Sequence, residues 1–182
     1  MKPILKAVNH APVTEGDPIV QYYTPVATDR QRTDFLVADL SKGAQLVVWS
    51  MRKWVEVRYK KRHSGSLVYR TAYRLAGIPQ AAEILDEMMM VLATTSLRPV
   101  LVECPCCRQL STDEVMVLSS LRSLQLMKTE AARRRMSRVL TGSLSNAFCR
   151  SAQAYVDQLT SADLSLEQIT RLGLVQKERD QS

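Results

Sequence analysis

Prolines divide this chain more sharply than any other residue. Four of the seven, Pro3, Pro12, Pro18 and Pro25, crowd the first 25 positions, and the next is Pro79. Proline fixes φ and lacks the backbone donor that helices and sheets use. Residues 1–33 therefore read as an irregular or extended arm. Within it Ile19, Val20, Tyr22, Tyr23 and Val26 are too apolar for a plain linker and suit docking on the body of the protein or on a partner.

Beyond Thr33 the pattern is helical. Val47, Met51, Trp54 and Val55 recur at i, i+4, i+7 and i+8, one face of a helix. Leu46, Val48, Trp49 and Val57 extend the apolar surface around the girth, as in a buried central helix. Gly43 is expected to interrupt this helix, with Ser41 as a fresh N-cap. The HSGS run at 63–66 predicts a turn, and a helix of about three turns follows, stopped by Gly77. After Pro79, a further helix carries Ala81, Ile84, Leu85, Met88, Val91 and Leu92 in one stripe, with Met90 pointing away as a candidate contact surface. Residues 100–104 suit a short extended piece. Ser111 and Glu114 have the capping-box spacing, and Val115, Leu118, Leu121 and Leu124 continue the face of the helix they start. Helices are also expected over 128–140 and 144–159, and a last short one over 164–174.

Gly is scarce at six, while Leu, Ala, Met, Arg and Gln recur, all tolerant of helix. The fold expected is all-α: a compact bundle of five to seven helices preceded by an irregular Pro-containing N-terminal arm, with strands absent or minimal. Residues 34–175 form the helical domain and 176–182 a frayed tail. A chain of 182 residues suits one domain and needs no staples, because it buries roughly 70% of its unfolded surface.

No run of 18 apolar residues is present, and the N-terminal stretch lacks the apolar core of a secretory signal. The expectation is a cytoplasmic protein without membrane segments, whose thiols stay reduced and form no structural disulfide. There is no Gly-rich phosphate loop, no H-E-x-x-H and no G-x-S-x-G. Glu83, Asp86 and Glu87 lack the Glu-x-x-His partners of a di-iron bundle. The chain is expected not to be an enzyme and to need no cofactor.

Three of the four cysteines, Cys104, Cys106 and Cys107, sit just before the capped helix; Cys149 lies far downstream. Zinc takes four thiolate or imidazole ligands, usually from two C-x-x-C knuckles. Here the run reads as a single C-x-C-C, adjacent residues seldom both reach one ion, and neither His10 nor His63 is near. No metal is therefore expected. The cysteines are read as small apolar side chains packed under the loop, with Arg108 a weak candidate for activating a thiol.

Net charge is +7, from 25 basic and 18 acidic residues, which suits a nucleic acid or an acidic protein. Two clusters carry it. Arg52, Lys53, Arg58, Lys60, Lys61 and Arg62 interleave with Trp54 and Tyr59, a mixture that can join phosphate contact to stacking. Glu56 stands four residues from both Arg52 and Lys60, so part of this is an ordinary paired helix face. In the second cluster Ala132, Met136, Val139 and Leu140 share one face, Arg134 and Arg138 the opposite one, and Arg133 and Arg135 flank them. An arginine-bearing helix after a capped one is the outline of a helix-turn-helix. The function expected is a non-catalytic nucleic-acid-associated regulator using Arg133, Arg134, Arg135 and Arg138 with Lys60, Lys61 and Arg62. The alternative is a helical adaptor or assembly factor that binds an acidic protein through the same surface.

Overall fold

The computed structural model describes residues 32–60 and 63–167. Among them are six helices: α1 (Lys42–Lys60), α2 (His63–Leu75), α3 (Ala81–Thr95), α4 (Thr112–Gln125), α5 (Thr129–Met136) and α6 (Gly142–Ser161). One two-stranded antiparallel sheet pairs β1 (Arg32–Leu36) with β2 (Gln109–Ser111). The helical bundle with minimal strand content is thus as expected. The arm over 1–31 and the tail after 167 lie outside the described residues. No helix among those described is long and apolar enough to cross a membrane.

Burial follows the helical periodicity. On α1, Ala44, Val47, Val48, Met51, Trp54 and Val55 enter the core. On α3, Leu85, Met88, Met89 and Leu92 are buried, and Met90 packs partly against the same core instead of offering a free contact surface. Burying each such side chain contributes roughly 1.5–3 kcal/mol. Helix α3 lies along α6, α1 touches α2, α3 and α4, and α4 holds both α5 and α6. At the centre the hydroxyls of Tyr73 and Tyr155 bond at 2.5 Å with their rings edge-on. Burial pushes Tyr73 up to about 12 and Tyr155 well above its ordinary value, so both keep their protons and one donates to the other.

Helices α2, α4 and α6 end alike. The N–H of Ile78 reaches Tyr73 O while Gly77 N–H reaches Arg74 O; Lys128 and Met127 repeat this on Ser123 and Leu124, and Leu164 and Asp163 on Leu159 and Thr160. This double bond pattern needs a left-handed residue at the first position past the cap. Gly77, Met127 and Asp163 supply it with φ of 78°, 58° and 54°.

Four local expectations are corrected. Gly43 does not break α1 but lies in its first turn, where an added Cβ would stand 2.7 Å from Ser165 O. Ser41 does act as the cap: its Oγ accepts from Ala44 N at 3.3 Å and donates to Ser165 O at 2.5 Å. The backbone over 63–66 is the first turn of α2 and not a free turn. The helix expected over 128–140 stops at Met136; Val139 and Leu140 stay buried in the turn that follows. Of the short helix expected over 164–174, residues 164–166 carry no regular structure, and residues 168–174 lie outside the described residues.

Candidate functional site

The arginine cluster divides into structural and unengaged members. Arg133 donates to the Glu130 carboxylate at 2.6 and 3.1 Å, and this bond holds Glu130 below its ordinary range. Arg135 donates to Ser123 Oγ at 2.6 Å and so ties α5 to α4. Among the described residues the side chains of Arg134 and Arg138 make no hydrogen bond or ion pair, and both are exposed. With Ala131 and Arg135 they line a shallow cavity of about 290 Å³ that contains no carboxylate. The helix pair α4–α5 joins through Leu126, Met127 and Lys128, with Met127 in the place where a glycine is customary. Arg138 stands in the turn beyond the helix, since α5 spans only two turns.

The first basic cluster is largely built into the fold. Arg52 is 2% exposed, and its partner is Glu114 on α4, not Glu56. Glu56 instead takes Lys53 at 2.8 Å. Trp54 is buried, with Arg58 over its ring at 5.2 Å, so it offers no stacking platform. Lys60 ends α1; its side chain, with Lys61 and Arg62, lies outside the described residues.

Arg52 holds together the part of the chain that carries the cysteines. Its Nε donates to Glu114 Oε1 at 2.7 Å and Nη2 to Glu114 Oε2 at 2.8 Å. The remaining donors reach three carbonyls: Cys107 at 2.5 Å, Cys104 at 3.3 Å and Gln109 at 2.8 Å. All five N–H groups of the guanidinium are thus used. Glu114 is equally saturated, because its oxygens also accept from Glu103 N at 3.2 Å and Ser111 N at 2.9 Å. Ser111 completes the capping box by accepting from Glu114 N at 3.0 Å, and it donates to Leu101 O at 2.6 Å. Next to it Asp113 takes Arg98 through both oxygens and Leu101 N at 2.8 Å. Carboxylates in the first turn of α4 also suit the helix dipole.

The irregular segment between α3 and β2 is therefore fastened along its backbone, and its cysteines form a tight turn. Cys107 N donates to Cys104 O at 3.0 Å, with Pro105 in the position that favours such a turn. Val37 N holds Arg108 O at 2.8 Å from the other side. The Sγ atoms of Cys104, Cys106 and Cys107 all lie within 4.8 Å of one another. Cys104 and Cys107, with Cα atoms 5.4 Å apart, form a disulfide, against the expectation of none. These two have the C-x-x-C spacing, which a C-x-C-C description passes over. Nor do the adjacent cysteines diverge: the turn folds Cys106 back so that its sulfur lies 2.6 Å from that of Cys104. Cys106 is exposed, and a shallow cavity of about 350 Å³, lined by Leu36, Cys107, Arg108 and Gln109, opens beside the turn.

Cys149 is not part of this group. It is buried on α6, where burial pushes its thiol up while Arg133 pulls it down and Glu130 adds to the rise. Compared with known protein families, with curated proteins and with solved structures, the chain matches none.

Proposed function

We propose that the protein is a non-catalytic nucleic-acid-associated regulator that takes the phosphate backbone on the outward face of α5 and the turn after it. The observation that carries this is the pair Arg134 and Arg138, exposed, unengaged among the described residues, and bordering a depression without a carboxylate. Guanidinium groups present paired donors that match phosphate oxygens. The net charge of +7 favours approach to a polyanion. Arg135 ties the helix to α4 and Arg133 pairs with Glu130 on α5 itself, and Lys60, Lys61 and Arg62 extend the proposed contact only if they reach the same strand.

The double variant Arg134→Ala, Arg138→Ala tests this reading. Ala132 and Met136 carry the packing of α5, so stability should change by less than about 0.5 kcal/mol. Binding to random duplex DNA and to single strands, titrated at two salt concentrations, should weaken. The slope of log K against log salt should flatten by up to about 1.8, two contacts at roughly 0.9 each for duplex. If the wild type has no measurable affinity at physiological salt and the variant instead loses an acidic protein partner, the adaptor alternative replaces this one.

A further inference from the structure

We infer that Cys104, Cys106 and Cys107 form a binding site for one thiophilic metal ion of the zinc class, with three thiolate ligands and a fourth position open to solvent or to a partner's ligand. The inference is independent of the arginine face. Three thiolates around an ion at about 2.3 Å stand roughly 3.8–4 Å from one another, and the three sulfurs already lie within 4.8 Å. Cys104 Sγ and Cys106 Sγ stand 2.6 Å apart, closer than two ligands of one ion, so in the reduced turn these sulfurs swing apart by about 1 Å on a fixed backbone.

The backbone is fixed at unusual expense. Carbonyls 104, 107 and 109 are held by one buried guanidinium and carbonyl 108 by Val37 N. A buried ion pair is seldom more stabilising than apolar residues of the same size. Its distinct product here is a rigid turn at the surface whose exposed or half-buried side chains are sulfurs. Preorganisation of this kind is what a ligand site requires. Exposure of Cys106 and the 350 Å³ cavity beside Cys107 leave room for entry and for a fourth ligand.

Binding of a divalent ion to the reduced turn releases three protons and gives a complex of charge −1: three RSH and M²⁺ become M(SR)₃⁻ and 3 H⁺. A disulfide within the turn withdraws two of the ligands, so the reduced chain is the competent form.

The test uses the full chain, reduced with a phosphine under anaerobic conditions and titrated with Zn²⁺ against a chromophoric chelator. One ion per chain is expected, with affinity falling more than about tenfold in each of Cys104→Ser, Cys106→Ser and Cys107→Ser and unchanged in Cys149→Ser. Co²⁺ in place of Zn²⁺ should give thiolate-to-metal charge-transfer absorption in the wild type, which reports the ligands even if a serine variant misfolds. Sub-stoichiometric binding by the reduced wild type, a Co²⁺ spectrum without thiolate character, or affinity indifferent to Cys106→Ser and Cys107→Ser would overturn the proposal.

Discussion

Glu114→Gln is the substitution with the largest consequence for its size. The four acceptor directions of the carboxylate are filled by N–H donors: Arg52 Nε at 2.7 Å and Glu103 N at 3.2 Å on one oxygen, Arg52 Nη2 at 2.8 Å and Ser111 N at 2.9 Å on the other. A glutamine must place an NH₂ at one of these oxygens, whichever way it is turned. Two donors then face a donor, and the guanidinium is left charged at 2% exposure. Breaking one side of a buried pair costs about 3–5 kcal/mol. For a chain of this size each kcal/mol moves the midpoint by about 2–4 °C, so the fall in Tm should be about 6–20 °C. Urea titrations followed by far-ultraviolet circular dichroism and thermal melts both measure it. The double variant Arg52→Met, Glu114→Leu removes both charges but takes the Arg52 donors from the carbonyls of Cys107 and Gln109 and the acceptor from the N–H groups of Glu103 and Ser111. It should recover only part of the loss. A shift below about 1 kcal/mol in the single variant, less than one charged hydrogen bond, would refute the reading that this pair organises the turn.

Two smaller changes test the helix ends. Gly43→Ala forces a methyl within 2.7 Å of Ser165 O and 2.9 Å of Leu164 C, both backbone, and should destabilise by about 1–3 kcal/mol in denaturant midpoint; an alanine tolerated within error would place the 164–165 segment elsewhere. Met127→Gly relieves a left-handed residue at φ 58° that is 81% exposed and loses little packing. The relief of about 1–2 kcal/mol less the flexibility of glycine leaves a gain of about 0.5–1 kcal/mol, and a loss in the same titration would mean the turn is not of this type.

Local rules made much of the fold legible. The α4 start is written in Ser111 and Glu114, three residues apart, and the α2 stop in Gly77. The equivalent stops at Met127 and Asp163 carry no glycine, so nothing local marks them; the bonds that hold those left-handed residues come from the helices they terminate. The outward placement of Arg134 followed from the spacing of Ala132 and Met136, which is a property of one helix, whereas Arg138 is exposed from the turn beyond it. The Arg52–Glu114 pair did not follow, because its partners stand 62 residues apart and each had a plausible nearer role, Arg52 with Glu56 and Glu114 in the cap. The cysteine turn was hidden for a related reason. Sequence spacing describes an extended chain, in which adjacent side chains point apart, whereas the bond from Cys107 N to Cys104 O curls the segment until three sulfurs meet.

Helix α4 links the two candidate surfaces. Its first turn holds the cysteine segment through Asp113 and Glu114, and its last residues anchor α5 through Ser123, which takes Arg135 at 2.6 Å, and through the turn at Met127. A variant that loosens α4 at either end therefore disturbs both surfaces, and a loss of binding in such a variant assigns nothing. Discriminating substitutions lie outside this frame: Arg134 and Arg138 on one side, and the sulfur atoms on the other, since the hydrogen bonds from Arg52 and within the turn run through the carbonyls and amides of its backbone. Serine in place of each cysteine leaves those backbone bonds in place, and alanine in place of the two arginines leaves Ala132 and Met136 packed. If a cysteine variant also loses nucleic-acid binding while its folding is intact, the surfaces act together through α4; if the two losses separate cleanly, the chain carries two independent sites on one rigid helix.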